Sequence, residues 1–250
     1  VDDLRLKVFS EFHRTRRGSH NRQPWHVDYA SGRWDPHKGG PNRRVRSIVH
    51  HNDDGEPDGV VSYQIDKDFG SQITILDMVA TTPNAEVALW EFLASIDLIG
   101  TIKAPKVDPA TPLPWAVEDP RVVKFTSHTD LGWLRILDVE KAMAVRGWDH
   151  QGSATFHVVD PMGYAEGTWR IDVDAPGAPA TVTKIDDSTD AATVDVAALG
   201  SLYFGTGRGF SLAAAHRVTG TDEQIAAVDR MFSTVCLLYT SPSPRDRTRS

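Results

Sequence analysis

The chain has 250 residues, 40% hydrophobic and 24% charged content and a formal net charge of −7, the composition of a globular chain with room for two domains. No window of 18 apolar residues occurs, and the opening VDDLRLKVFSEF lacks the apolar stretch and small-residue cleavage site of a leader, so neither a membrane span nor a signal peptide is expected. One Cys, at 236, leaves no intrachain disulfide and no Cys-based metal site, and the absence of Met at position 1 points to a start inside a longer protein.

In chain order, residues 1 to 44 are basic, with ten Lys and Arg against five Asp and Glu. RTRRGSHNRQPW, Arg14 to Trp25, reads as a helix end followed by a loop. Arg16, Arg17, Arg22 and the Arg43, Arg44, Arg46 cluster offer phosphate contacts, with Trp25 and Trp34 as base stackers. Short basic runs are more often solvated faces, and the whole chain is acidic, so no nucleic-acid partner is expected. Val45 to His51 and Gly59 to Ile65 alternate around Asp53-Asp54-Gly55, a hairpin pattern, and a third strand follows at Ile73 to Ala80. A helix is expected from Pro83 to about Leu98, with Thr82 as N-cap and Leu89, Trp90, Leu93 and Ile96 as its apolar face. Five prolines between 101 and 129 break regular structure, and the domain boundary is placed near the end of that stretch.

The run DLGWLRILDVEKAMAVRGW, Asp130 to Trp148, then reads as a buried strand over Leu131 to Leu137. Asp138 caps a helix from Val139 to Arg146 that Gly147 ends. Strands are predicted at Ala154 to Val159, Thr168 to Val173, Ala180 to Ile185 and Thr193 to Val194. Asp195 caps a helix carrying Val196, Leu199 and Tyr203 on one face. Thr221 and Gln224 form a capping box for a last helix with Ile225, Val228 and Phe232 inward. The tail CLLYTSPSPRD, Cys236 to Asp246, looks like a translated sequencing adapter, and 236 to 250 are read as non-native. Without it Lys plus Arg falls from 27 to 24 and Asp plus Glu from 34 to 33, which takes the net charge from −7 to −9.

Motifs of direct chemistry are sparse. The ten His show no HExxH or comparable ligand spacing, and His50 and His51 point to opposite faces of one strand. There is no GxSxG elbow, and the paired Asp at 2-3, 53-54 and 186-187 sit in expected turns, where Asp bonds its own backbone. A phosphate cradle between a strand and a helix needs close-packed amides and glycine, whereas residues 81 to 85 read TTPNA. Arg217 to Gly220 and Gly205-Thr-Gly207-Arg-Gly209 are the nearest substitutes, and the residues that follow them do not fit.

The order strand, strand, strand, helix is that of the GNAT acetyltransferase fold. Asp130, Trp133, Arg135, Asp138, Val139, Ala144, Arg146 and Trp148, followed by DVAALGSLYFG at 195 to 205 and LAAAHRV at 212 to 218, resemble the Eis family of multidomain bacterial acetyltransferases. GVVSYQI at 59 to 65, Leu89 to Asp97 and PLPWAVEDPR at 112 to 121 extend the likeness. The implied fold class is α+β: a central GNAT-like mixed sheet with packed helices at 1–125, lacking the acetyl-CoA loop, then a sterol-carrier-like α/β sandwich at 126–235. The implied function is acetyl transfer from acetyl-CoA to an amine such as an aminoglycoside, in a cytoplasmic homo-hexamer. By the same resemblance, the cofactor and a catalytic Tyr lie in a first domain before Val1, and a terminal carboxylate is the general base. The 250-residue chain is then inactive alone, contributes acceptor-cleft walls and oligomer contacts, and holds no catalytic, cofactor or metal residue. Asp130 matches a cleft carboxylate suited to an ammonium and Trp148 a cleft aromatic; a turn Asp and a core Trp are the competing readings. Trp25 and Trp34 are weaker substrate-binding candidates. The alternative function is an apolar-ligand carrier with a cavity lined by Phe156, Val158, Trp169 and Leu202, residues that equally fill a core.

Overall fold

A computed structural model of the chain describes residues 1–16, 19, 21–66, 72–108, 110–127 and 132–234. These divide into two compact units, one up to 127 and one from 132. Asp130, Leu131 and the tail from 235 onward lie outside the described residues.

In the first unit, helices α1 (Asp2–Thr15) and α2 (Trp25–Ser31) precede strands β1 (Arg46–His51), β2 (Pro57–Ile65) and β3 (Gln72–Ala80). Helix α3 (Pro83–Ala94), strand β4 (Thr101–Lys103), a four-residue helix α4 (Leu113–Ala116) and a 3-10 turn at Pro120–Val122 complete it. The sheet runs β1-β2-β3-β4, antiparallel except for the parallel β3–β4 pair. β2 is buried from Gly59 through Tyr63, because both faces are covered. Val60 meets Val8 and Phe12 of α1, and Val61 packs in the cluster with Leu89 and Leu93 of α3. α3 starts as the sequence demands: Thr82 Oγ1 accepts from the Ala85 amide at 3.1 Å, and Pro83 fills a position that needs no N–H. It ends at Ala94, four residues before the expected Leu98. There the Ser95 hydroxyl donates to the Phe92 carbonyl, a side-chain bond that competes with the helix ladder, and Leu98 is left-handed and 89% exposed. The three-residue β4 lies inside the proline-rich stretch that the sequence reads as irregular.

The second unit contains helix α5 (Val139–Val145), strands β5 (Gly152–Val159), β6 (Gly167–Val173), β7 (Thr181–Ile185) and β8 (Ala192–Asp195), and helices α6 (Val196–Phe204) and α7 (Gly209–Ala214). Strand β9 (Val218–Thr219) and helix α8 (Asp222–Phe232) follow. Its sheet order is β7-β6-β5-β8-β9, with β5–β8 the parallel pair. Alternation along β5 sends Ala154, Phe156 and Val158 into the core shared with α5, α6 and α8. The caps stand where the local chemistry puts them: Asp138 on Lys141, Asp195 on Ala197 and Ala198, and the Thr221–Gln224 capping box.

Two expectations change here. Residues 132–137 form no strand: Ile136 is buried and Leu134 half-buried, but Trp133 is 91% and Leu137 57% exposed. β5 already has β6 and β8 on its two sides, so the segment runs across α6 instead, where a Cβ on Gly200 would stand 2.6 Å from the Leu134 carbonyl oxygen. The four side chains offered as a carrier lining, Phe156, Val158, Trp169 and Leu202, are core residues at 8% exposure or less. They pack against one another and against Phe232, whose ring meets that of Phe156 edge-on at 5.7 Å.

Candidate functional site

In the GNAT-like unit the position to test is the start of α3 and the opening beside it. β3 and β4 pair only from Gln72–Thr101 to Thr74–Lys103. Beyond that, Ile75, Met78, Val79 and Ala80 face Ala104, Lys106, Val107 and Asp108 across a cavity of about 50 Å³ lined also by Phe12, Trp90 and Glu86. That volume holds a few waters, not the arm of a coenzyme. The Trp90 indole N–H is buried there without an acceptor among the described residues. At the helix start, Pro83 has no amide, the Ala85 amide is taken by Thr82 Oγ1, and the Glu86 amide by the Thr82 carbonyl. The Glu86 carboxylate stands in the first turn, where it accepts from the Thr111 hydroxyl. A protein carboxylate thus occupies the positive end of the dipole, the place a pyrophosphate requires. The residues present do not fit acetyl-CoA at this turn.

The glycine-rich substitute at 205–209 is equally closed. Gly205 is the left-handed residue that ends α6, and Gly209 lies against the backbone of Asp229. The Asp229 carboxylate takes the Gly209 and Phe210 amides and pairs with Arg208, which holds its carboxyl below the usual range. Amides that a phosphate would use are spent on an internal carboxylate.

Behind β3 lies an ionic cluster that the sequence reading missed. Asp77 is bound by Arg22 through two bonds of 2.8 and 2.7 Å, with Arg5 Nη1 at 3.6 Å and His26 Nε2 at 3.9 Å. Arg5 also donates to Ser62 at 2.6 Å and Ser47 at 2.9 Å. Burial works to raise the Asp77 carboxyl, but Arg22, His26 and Arg5 outweigh it and hold it below its ordinary value. Burial pushes the His26 imidazole down to about 4, Asp77 opposing and Arg22 and Lys106 assisting, so the ring is neutral near pH 7. The cluster ties α1 and the segment before α2 to the sheet, and it removes Arg22 from any phosphate-binding face. The only advance signal was an Asp in an otherwise apolar strand pattern, Ile73 to Ala80.

Of the four candidate acceptor contacts, three fall among the described residues. Asp130 lies outside the described residues. Trp148 is fully buried in the second unit: its Nε1 donates to the Met143 carbonyl at 3.0 Å, its ring meets Phe232 edge-on at 5.2 Å, and the Arg146 guanidinium lies over it at 4.5 Å. The cleft-wall expectation for Trp148 is therefore replaced by a core role, since a satisfied indole packed on all sides presents nothing to a ligand. Trp25 and Trp34 belong to the first unit. Trp25 is half-buried with its ring near Tyr29 and His26, and Trp34 is 47% exposed.

Comparison with known proteins finds two domain families along the chain. The acetyltransferase (GNAT) domain family matches residues 18–136, and the sterol carrier protein domain family matches residues 139–236. The chain thus carries a GNAT acetyltransferase domain followed by a sterol carrier protein domain. It is 37% identical over 186 residues to an uncharacterized N-acetyltransferase of Streptomyces avermitilis, covering 72% of this chain and 44% of the relative. It is 31% identical over 189 residues to N-acetyltransferase Eis of Mycobacterium tuberculosis, covering 74% and 43%. The crystal structure of Eis1 from Mycobacterium abscessus superposes with a TM-score of 0.74 at 27% identity, over 95% of this chain and 60% of that one. Relatives named N-acetyltransferase Eis are thus among the proteins this chain is similar to, and it spans less than half the length of the curated relatives it matches. A GNAT domain lies within the chain itself, so the expectation that the cofactor-binding domain is a missing one before Val1 is not supported. Among the described residues no helix is long and apolar enough to cross a membrane.

Proposed function

We propose that the protein to which this chain belongs transfers an acetyl group from acetyl-CoA to an amine, with aminoglycosides as the acceptor class and a cytoplasmic homo-hexamer as the working assembly. The observation that carries the reading is the likeness to N-acetyltransferases that runs across both domains. The closed turn at α3 supports a second element: acetyl-CoA is held elsewhere than at this GNAT domain's helix start, so the 250-residue chain is inactive alone and serves the acceptor side and the assembly. The base that frees the ammonium is the terminal carboxylate that the family resemblance implies. Of the acceptor contacts, Trp34 has the exposure to stack on a sugar or face a cation, and Asp130 remains a candidate carboxylate.

The test is mass spectrometry of tobramycin incubated with acetyl-CoA and either the full-length gene product or the 250-residue chain. Mass gains of acetyl units with the first and none with the second are expected. A full-length product that acetylates no amine would sink the enzyme assignment, and turnover by the shorter chain would sink the division of labour.

A further inference from the structure

The opening between β3 and β4 stands out by the bonds it leaves unmade. Among the described residues four buried side-chain atoms have no hydrogen-bond partner: Arg5 Nε, Arg22 Nε, His26 Nδ1 and Trp90 Nε1. All four are nitrogens of the first unit, and the two guanidinium atoms and the indole can only donate. Asp2 Oδ1 stands 3.8 Å from Arg5 Nε, too far for a hydrogen bond. A buried donor without an acceptor keeps its whole desolvation cost, so a ligand that brings an acceptor recovers it.

Of the four residues, Trp90 lines the cavity of about 50 Å³ between the two strands. Ile75, Val79, Ala104 and Val107 give that cavity apolar walls, and Arg16, Lys106, Glu86 and Asp108 add charge. The two carboxylates are engaged by the local chain: Glu86 accepts from the Thr111 hydroxyl, and Asp108 Oδ1 accepts from the Ala110 amide at 2.8 Å. Neither takes the indole N–H. Lys106 also acts on the His26 imidazole, so the cavity adjoins the Asp77 cluster, where two guanidiniums face one buried carboxylate. Apolar walls, an unmet donor and neighbouring cations together select a small body with an anionic oxygen. The volume takes about four atoms of water size, which is the size of acetate.

We propose that the opening between β3 and β4 is a binding site for a small monocarboxylate of acetate size, its methyl on the apolar walls and its oxygen accepting from Trp90 Nε1. Such a ligand needs no phosphate-binding turn, so the closed start of α3 does not exclude it. The site does not depend on the acetyl-transfer reading.

Nuclear magnetic resonance of the 250-residue chain, with sodium acetate replacing sodium chloride at constant ionic strength, reads the site through the indole N–H signals. Trp90→Phe identifies the signal of Trp90. Four non-hydrogen atoms bind no more tightly than about 40 µM, so the titration extends to roughly 100 mM. The Trp90 signal is expected to shift saturably. Those of Trp148 and Trp169, already bonded to the Met143 and Ala165 carbonyls, are expected to stay in place. Overhauser contacts from the acetate methyl to the Ala104 and Val107 methyls are expected as well. Ala104→Leu fills the cavity and leaves the donor intact, and it should weaken the binding at least about tenfold; acetamide, which lacks the charge, should bind at least about tenfold more weakly than acetate.

A Trp90 signal that stays in place, or that moves without saturating, overturns the proposal. Wild-type affinity in Ala104→Leu overturns it too, and equal affinity for acetamide overturns the assignment to an anion. Should Ala104→Leu fail to fold, the wild-type Overhauser contacts decide, and their absence at saturating acetate overturns the site.

Discussion

Asp77 is the carboxylate at the centre of the buried ionic cluster of the first unit. It is the carboxylate between two buried guanidiniums, so Asp77→Ala leaves Arg5 and Arg22 facing each other in the interior. Breaking a buried pair in this way costs about 3 to 5 kcal/mol. Urea unfolding should show that loss, and a change under about 1 kcal/mol would mean the cluster is not desolvated as described. His26 gives the same cluster a pH signature. Its ring sits near 6.5 when unfolded and at about 4 when folded, so unfolding takes up a proton anywhere between those values. The depressed folded value means that stability is whole above about pH 6.5 and declines as pH falls toward 4, by at most about 3 kcal/mol. Asp77, also depressed, adds a further loss at lower pH. The urea midpoint of the wild type should fall over that window more steeply than that of His26→Phe; parallel curves would contradict the burial of the imidazole.

At the scale of elements, most starts and stops were legible because they are local chemistry: a Thr or Asp oxygen for a helix start, an alternation for a strand. The hairpin, β3, the start of α3, β5, β6 and the capping box of α8 all follow from patterns of two to four residues. What failed was what depends on partners. The run 131–137 is apolar enough for a buried strand, yet the sheet has no vacancy beside β5, and Trp133 and Leu137 turn outward. Its observed docking on α6 makes an inverted prediction at Gly200. Gly→Ala inside a helix ordinarily gains about 1 kcal/mol. Here the added Cβ would press on the Leu134 carbonyl at 2.6 Å, and a loss of about 1 to 3 kcal/mol is expected in thermal unfolding. A stabilised Gly200→Ala would show that the 132–137 segment does not lie on α6.

For the whole molecule, the sequence carried the fold class and the family further than the site. A missing phosphate loop is readable in TTPNA because it is a statement about backbone amides, and the structure adds the physical reason: Glu86 holds the turn that a phosphate would need. The acceptor contacts were not readable, because a Trp that lines a cleft and a Trp that fills a core look alike in sequence, and Trp148 fills a core. The proposed division of labour therefore turns on one interaction, acetyl-CoA with the α3 turn. Calorimetric titration of acetyl-CoA into the 250-residue chain measures it directly. No saturable heat is expected up to millimolar coenzyme; saturable binding that is lost when Asn84 or Thr82 is altered would contradict a closed turn.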